Sequence, residues 1–351
     1  MEKARMYIAK TTRETSRTGR WLFAIAAALF APLALGASTL DTVRERGQLH
    51  CAIHPGQAGM SYLDRRGEWN GFFVDYCRAL AAATLGDPRK VKFLPTTSNK
   101  RFTVLQTGEV DVLSRTTTWT FARDTGLGLN FSGIMYYDGQ SFLVRKAAGI
   151  RKPQELAGAT ICITKGTTAE LNTADFFLRQ GLSFRSLVFE NVEEAKIAFF
   201  ARRCDAMTTD ALPLTIIRLS DAERPEDYEV LPELLSKEPF GPVVRSDDDQ
   251  WFDINKWLLN ALLAAEEFGI TSENIDTLRQ QSRNPEVKRL LGVQPGLGKP
   301  LGLDDAWAYR AIKAVGNYEQ LFERHVAPLG VERGLNRLQQ HGGLMYPLPF
   351  R

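Results

Sequence analysis

One order of elements is written twice in this chain. Residues 48–54 read as a strand, 55–59 as a turn-rich loop with two glycines, and 69–84 as a helical run in which Phe73, Tyr76, Cys77, Leu80 and Thr84 share a face. A strand at 91–95, a short helix at 99–105 closed by Gly108, and a strand at 110–113 follow. The order then restarts. Residues 141–145 are strand-like, 152–156 turn into a short helix, and 160–164 form a strand before Gly166 and a helix that runs to about residue 180. A strand at 187–189, a helix at 193–202 and a strand at 204–209 complete the block. Strands that alternate with helices imply βαβ units and a mainly parallel sheet. The repetition is one of pattern, not of residues, and two α/β lobes are its economical explanation.

Both ends depart from this rhythm. A short helical run at 39–46 stops at Gly47. From residue 249 onward the chain is mostly helical: Trp251, Ile254, Trp257, Leu258, Ala261 and Leu262 keep helical spacing until Gly269. Helices are expected at 272–281, at 284–291 with Asn284 as cap and Pro285 in first position, at 304–315 and at 317–325. Trp251, Trp257 and Trp307 read as core, because large aromatic side chains dominate core burial.

At 351 residues the chain has room for one large or two medium domains. Its formal charge of +3 is unevenly placed: residues 1–37 carry a net +4, so the remainder is near neutral at −1. Nothing in that balance favours nucleic acid. Basic residues, an apolar run at 21–35 and small residues at 36–38 make residues 1–37 a secretory signal peptide. The run is short for a membrane span, is interrupted by Pro32, and is followed by no cysteine for lipid attachment before Cys51. An exported, periplasmic protein without a lipid anchor is expected. In an oxidising compartment the four cysteines favour disulfides, and spacing alone leaves three connectivities open.

The chemistry concentrates after the strand at 110–113. Val112 and Leu113 end in Ser114, Thr116, Thr117, Thr118 and Thr120, and Arg123 follows. Hydroxyl and amide donors beside one guanidinium suit a carboxylate. The plain alternatives are a polar loop and a surface ion pair of Arg123 with Asp124. No metal-ligand spacing, nucleophile motif or phosphate loop stands out, so neither a cofactor nor a metal is expected.

These residues carry a resemblance. Residues 69–78, 101–114 and 117–120 resemble segments of the type II periplasmic solute-binding proteins of ABC transporters, most of all their general L-amino-acid-binding branch. So do Gly166-Thr-Thr-Ala-Glu-Leu-Asn172, Thr208-Thr-Asp210, Ser236-Lys-Glu-Pro-Phe-Gly-Pro242 and residues 248–253, 307–309, 316–318 and 343–346. The resemblance spans nearly the whole of the chain after the leader. It implies an α/β fold of two lobes, 39–139 with 241–351 and 140–240, joined by a hinge of two crossover strands, with the helical C-terminal part on lobe one. With Cys51 and Cys77 in one lobe and Cys162 and Cys204 in the other, it implies the pairs Cys51–Cys77 and Cys162–Cys204, since a bond between lobes would lock the hinge.

It also implies a site. A free L-amino acid would lie between the lobes and be delivered to membrane-embedded ABC permease subunits by a monomer. Thr116, Thr118 and Arg123 would hold its carboxylate, with Thr167 and Thr168 as the second lobe's grip, and Asp210 would hold its ammonium. The alternative for Asp210 is a helix cap. His54, Trp69 and Trp119 are candidates for the side-chain pocket. Asparagine is common in the branch where this chain has His54 and Thr116, and small residues where it has Leu212 and Pro213, which bears on side-chain preference. The same fold can carry a dehydratase acting on a carboxylate substrate, for which His54 and Glu170 are the nearby acid–base candidates.

Overall fold

Helix α1 (Thr39–Arg46) opens the part of the chain that the computed structural model describes, residues 38–351. The leader assigned to residues 1–37 lies outside the described residues. Ser38 caps α1 by accepting the Asp41 N–H, and Gly47 ends it at φ 69°, a left-handed conformation that suits a residue without Cβ. Strand β1 (Leu49–Ile53) leads to a small hairpin, β2 (Tyr62–Leu63) with β3 (Trp69–Asn70), and then to α2 (Phe72–Leu85). The sequence predicts one buried face there. The structure buries twelve of the fourteen residues of α2, because the C-terminal helices cover its far side. Next come β4 (Val91–Pro95), α3 (Arg101–Gln106), β5 (Val112–Leu113), α4 (Phe121–Gly126) and β6 (Leu129–Phe131).

Strand β7 (Tyr136–Asp138) carries the chain to a second sheet made from β8 (Gln140–Arg145), β9 (Thr160–Thr164), β10 (Arg185–Phe189), β11 (Ala206–Asp210) and β12 (Tyr228–Val230). Helix α5 (Thr168–Arg179) follows β9, α6 (Val192–Phe200) follows β10, and α7 (Ala211–Ser220) follows β11. Strand β13 (Glu238–Phe240) brings the chain back beside β7, antiparallel, with Glu238 opposite Asp138. Strand β14 (Val243–Arg245) then joins the first sheet.

The strand orders are β4-β1-β5-β14-β6 and β10-β9-β11-β8-β12. Both sheets are mixed, which corrects the expectation of a mainly parallel one. Pairs linked through helices, such as β1 with β4 and β9 with β10, are parallel. β14 runs against β5 and β6, and β8 against β11 and β12. A parallel neighbour needs a long crossover, whereas β8 and β14 enter their sheets directly from the two-stranded ribbon.

The remaining helices are α8 (Asp249–Glu267), α9 (Ile275–Gln281), α10 (Pro285–Leu290), α11 (Trp307–Val315) and α12 (Tyr318–His325). Asn284 caps α10, and Asn317 with Gln320 makes a capping box on α12. Trp251 and Trp307 are buried in the main core, while Trp257 is half-buried against Phe350. Both expected disulfides form: Cys51–Cys77 ties β1 to α2, and Cys162–Cys204 ties β9 to the approach to β11. Asp111, at the head of the threonine-rich stretch, joins elements. Its buried carboxylate accepts from Arg46 and from the His50 N–H, and its carbonyl accepts the Trp251 indole N–H at 2.8 Å.

Candidate functional site

A cleft of about 250 Å³ opens between the carboxyl ends of strands from the two sheets, where ligands sit in open α/β sheets. The first sheet's side supplies His54, Arg101, Arg115, Thr116, Thr118 and Arg123. The second supplies Thr164, Thr167, Thr168, Lys196, Thr209 and Asp210.

The loop after β5 sorts its hydroxyls. Ser114 donates to the Phe73 carbonyl at 2.9 Å and is buried, so it ties the loop to α2. Thr118 donates to Glu238. Thr120 caps α4 by accepting the Arg123 N–H, which puts Arg123 in the first turn. The Arg123 guanidinium donates to the Thr118 carbonyl at 2.9 Å and lies over the Phe102 ring at 5.4 Å. No ion pair with Asp124 forms, and Asp124 instead accepts the Phe131 N–H at 3.3 Å. Burial lowers the pKa of Arg123, and the Glu238 and Asp210 carboxylates oppose that shift.

On the facing side, Gly166 adopts φ 75°, and its N–H donates to Glu170. A Cβ there would meet the Asn99 backbone at 3.3 Å. Thr167 donates to the Thr164 carbonyl at 2.7 Å, and Thr168 donates to Glu238 at 2.8 Å. A hydroxyl has one proton to give, so Thr118, Thr167 and Thr168 offer a ligand their backbone N–H groups rather than their hydroxyls. Asp210 ends β11, is 9% exposed, and makes no capping hydrogen bond to α7. Burial pushes its pKa well up, with repulsion from Glu238 and Asp138 adding and Arg123 and Arg101 opposing.

The family described as bacterial extracellular solute-binding proteins, family 3, matches residues 49–274. The chain belongs to that family. It is 49% identical over 331 residues to the general L-amino acid-binding periplasmic protein AapJ of Rhizobium johnstonii, covering 92% of this chain and 96% of that one. It is 47% identical over 330 residues to the glutamate/glutamine/aspartate/asparagine-binding protein BztA of Rhodobacter capsulatus, covering 93% and 97%. Among solved structures, an ABC transporter / periplasmic binding protein from Brucella ovis with glutathione bound superposes with a TM-score of 0.87 at 49% identity, covering 90% of this chain and 100% of that one. The two mixed sheets joined by β7 and β13 are the type II periplasmic-binding-protein fold.

In this family 3 protein the structure also brings to the cleft residues that the sequence leaves unmarked. Arg101 and Arg115 are each 2% exposed. Arg115 donates to the Thr96 carbonyl and to the Ser98 hydroxyl, and Arg101 reaches across to the Gly166 carbonyl at 3.2 Å. The available signal was Arg115 itself, standing inside the hydroxyl cluster. Glu238 is buried on β13 and accepts four hydrogen bonds, from Thr118, Thr168, Asn172 and Ser236. Asp138, opposite it on β7, accepts the Gly139 and Leu212 N–H groups, and burial with the nearby Glu238 charge pushes it up to about 7.

Trp69 and Trp119 lie off the cleft. Trp69 pairs in the β2–β3 hairpin and packs on the main core. Trp119 stacks on Phe131 at 5.5 Å. Thr118 bridges to Phe240, so the next side chain turns to the opposite face. Tyr62, Val192, Pro213, Ile216 and Ile217 form the apolar wall instead. His54 does line the cleft. Its Nδ1 accepts the Gly56 N–H at 3.2 Å, and burial, with Arg115, Arg101 and Lys196 near, holds it neutral. Glu170 is spent on the Gly166 N–H and is not among the cleft-lining residues.

Proposed function

We propose that this protein captures L-amino acids between two lobes and delivers them to a membrane-embedded ABC permease. The observation that carries this reading is an arginine and an aspartate that face one cleft from opposite sides. Arg123 comes from the first sheet's side and Asp210 from the second, and neither has an ion-pair partner among the described residues. Arg123, with the N–H groups of Thr116 and Thr118, receives the α-carboxylate, because a guanidinium fork matches its planar geometry. The N–H groups of Thr167 and Thr168 at the start of α5 add a second grip, as helix N-termini do for anions. Asp210 receives the ammonium. Burying both ligand charges is tolerable only when each is paired.

The lobes in this reading are residues 39–139 with 241–351 and residues 140–240, hinged at β7 and β13. The assignment of each strand to one sheet or the other supports that division. Residues 1–37 direct export to the periplasm, and the protein works as a monomer. The names of the related binding proteins support amino acids as the ligand class.

Titration calorimetry against a panel of L-amino acids tests the reading. Arg123→Ala and Asp210→Ala should each lower affinity by about 2–5 kcal/mol, the cost of truncating one partner of a buried charge pair. Full affinity in either variant would overturn that residue's role.

A further inference from the structure

Of the two strands that join the sheets, β7 pairs with no strand but β13 among the described residues. Its other edge is closed by a side chain. The Asn336 side-chain oxygen accepts the Tyr137 N–H at 2.6 Å, and its side-chain nitrogen donates to the Tyr137 carbonyl at 3.1 Å. One amide, with a donor and an acceptor, stands in for a neighbouring strand. Two residues earlier, the Tyr318 hydroxyl of α12 donates to the Met135 carbonyl at 2.9 Å.

The register decides what this grip can do. Tyr137 lies opposite Pro239. Pro239 has no N–H to give, and the Tyr137 N–H and carbonyl face Asn336 instead. The Pro239 carbonyl accepts the Trp119 N–H at 2.8 Å. The ribbon is therefore held on both edges at one level, by Asn336 and by the loop after β5. Past that level come Asp138 and Gly139, and Gln140 already belongs to β8 of the second sheet.

Asn336 is itself fixed, and is 3% exposed. The Leu344 N–H donates to the Leu335 carbonyl at 2.8 Å and the Met345 N–H to the Arg337 carbonyl at 3.1 Å, so the tail folds on itself at either side of Asn336. The Asn336 carbonyl accepts from Arg333 at 3.0 Å, and Arg333 also donates to Glu266 on α8 at 3.0 Å. Tyr318 and Asn336 both lie beyond residues 49–274, the stretch that the family match covers.

We propose that the C-terminal tail is a hinge clamp: Asn336, with Tyr318, pins β7 to the first lobe and confines its bending to Asp138 and Gly139. The inference rests on the two-lobe reading above. Asn336 lies outside the cleft lining, so it is a positioning residue that acts through β7. A clamped strand has fewer conformations to lose on closure, which makes the closed form less costly to reach. Apparent affinity follows the population of that form.

Distances between nitroxide labels at Lys92→Cys on β4 and Arg179→Cys on α5, both exposed positions, read the spread of the lobes. The four native cysteines are in disulfides and take no label. In ligand-free protein Asn336→Ala should broaden the distance distribution. Its affinity for L-glutamine should fall by about two- to thirtyfold, the range over which residues away from a ligand shift such equilibria. Tyr318→Phe keeps the ring and removes one hydrogen bond, so it should move both readouts the same way by less. It carries the test if Asn336→Ala does not fold. Asn284→Ala, which removes the cap of α10, should lower the melting temperature and leave both readouts unchanged. A wild-type distance distribution in Asn336→Ala would overturn the clamp. So would equal effects from Asn284→Ala, which would reduce the clamp to lost stability. The distance measurement needs no ligand, so binding of no L-amino acid by the wild type would overturn the amino-acid reading alone, and the distances would still decide the clamp.

Discussion

Asp210 is buried beside Glu238 and Asp138, with Arg123 and Arg101 as its opposing charges. An unpartnered acid in such a place titrates above the ordinary carboxylate range, because burial penalises its charged form. Its folded-state pKa is thus above its unfolded one. The stability this group contributes to the ligand-free protein is full below the unfolded pKa and is lost as pH rises through the folded pKa. Asp210→Asn removes that loss. At pH 8 the ligand-free variant should be more stable than the wild type by about 1 kcal/mol, within the usual range for a stabilising change, and the gain should shrink on acidification. Its amino-acid affinity should fall even as its melting temperature rises. A lower melting temperature at pH 8 would show that Asp210 supports the fold and is not held ready for a cation. Wild-type affinity should itself decline as pH falls through the raised pKa, since a protonated Asp210 cannot pair with an ammonium. Asp210 was legible in the sequence because a strand end follows from local pattern. Glu238 was not: its Ser-Lys-Glu-Pro setting reads as a loop, and only pairing with β7 turns it inward.

Among elements, the decisive meeting is between the loop after β5 and the start of α5. They are far apart in sequence, and both donate to Glu238 on β13. Replacing that carboxylate with an amide puts N–H groups where acceptors stood. Glu238→Gln should therefore lower the unfolding free energy by about 1–3 kcal/mol, the cost of leaving a buried polar group unsatisfied. Thr118→Val removes one donor and leaves three, so its cost should be smaller, about 1 kcal/mol. Urea titrations with a double-mutant cycle would measure both, and additive costs would argue that Thr118 and Glu238 do not share a network. The long helices were readable because their caps and periodicity are local: α8 starts at the predicted residue 249 and ends before Gly269, and Asn284 caps α10 as expected. β6, β7, β12, β13 and β14 are three residues each. Strands that short show no alternation to read, and they exist through their partners.

At the scale of the whole molecule, the repeated pattern showed two α/β units but not the mixed sheets, whose antiparallel members arrive from the opposite unit. The disulfides respect the same division. Cys51–Cys77 closes a separation of 26 residues around the first sheet, and Cys162–Cys204 closes one of 42 within the second. Cross-links of that span stabilise by about 3–4 kcal/mol each in the chain-entropy picture. If the proposed lobes move about β7 and β13, neither bond crosses the moving boundary. Reduction should then lower the unfolding free energy and leave closure intact. Small-angle scattering can check this: an amino-acid ligand should decrease the radius of gyration by the same amount in oxidised and reduced protein, under conditions where both stay folded. Hydrogen bonds bridge the cleft between Asn99 and Glu190 at 3.1 Å and between Arg101 and the Gly166 carbonyl, and Leu212 and Ile216 of α7 are buried in the main core, so opening would break the first contacts and strain the second. A ligand-dependent change present only after reduction would place a disulfide across the hinge and refute the division. No change in either state would mean that the cleft takes its ligand without lobe motion.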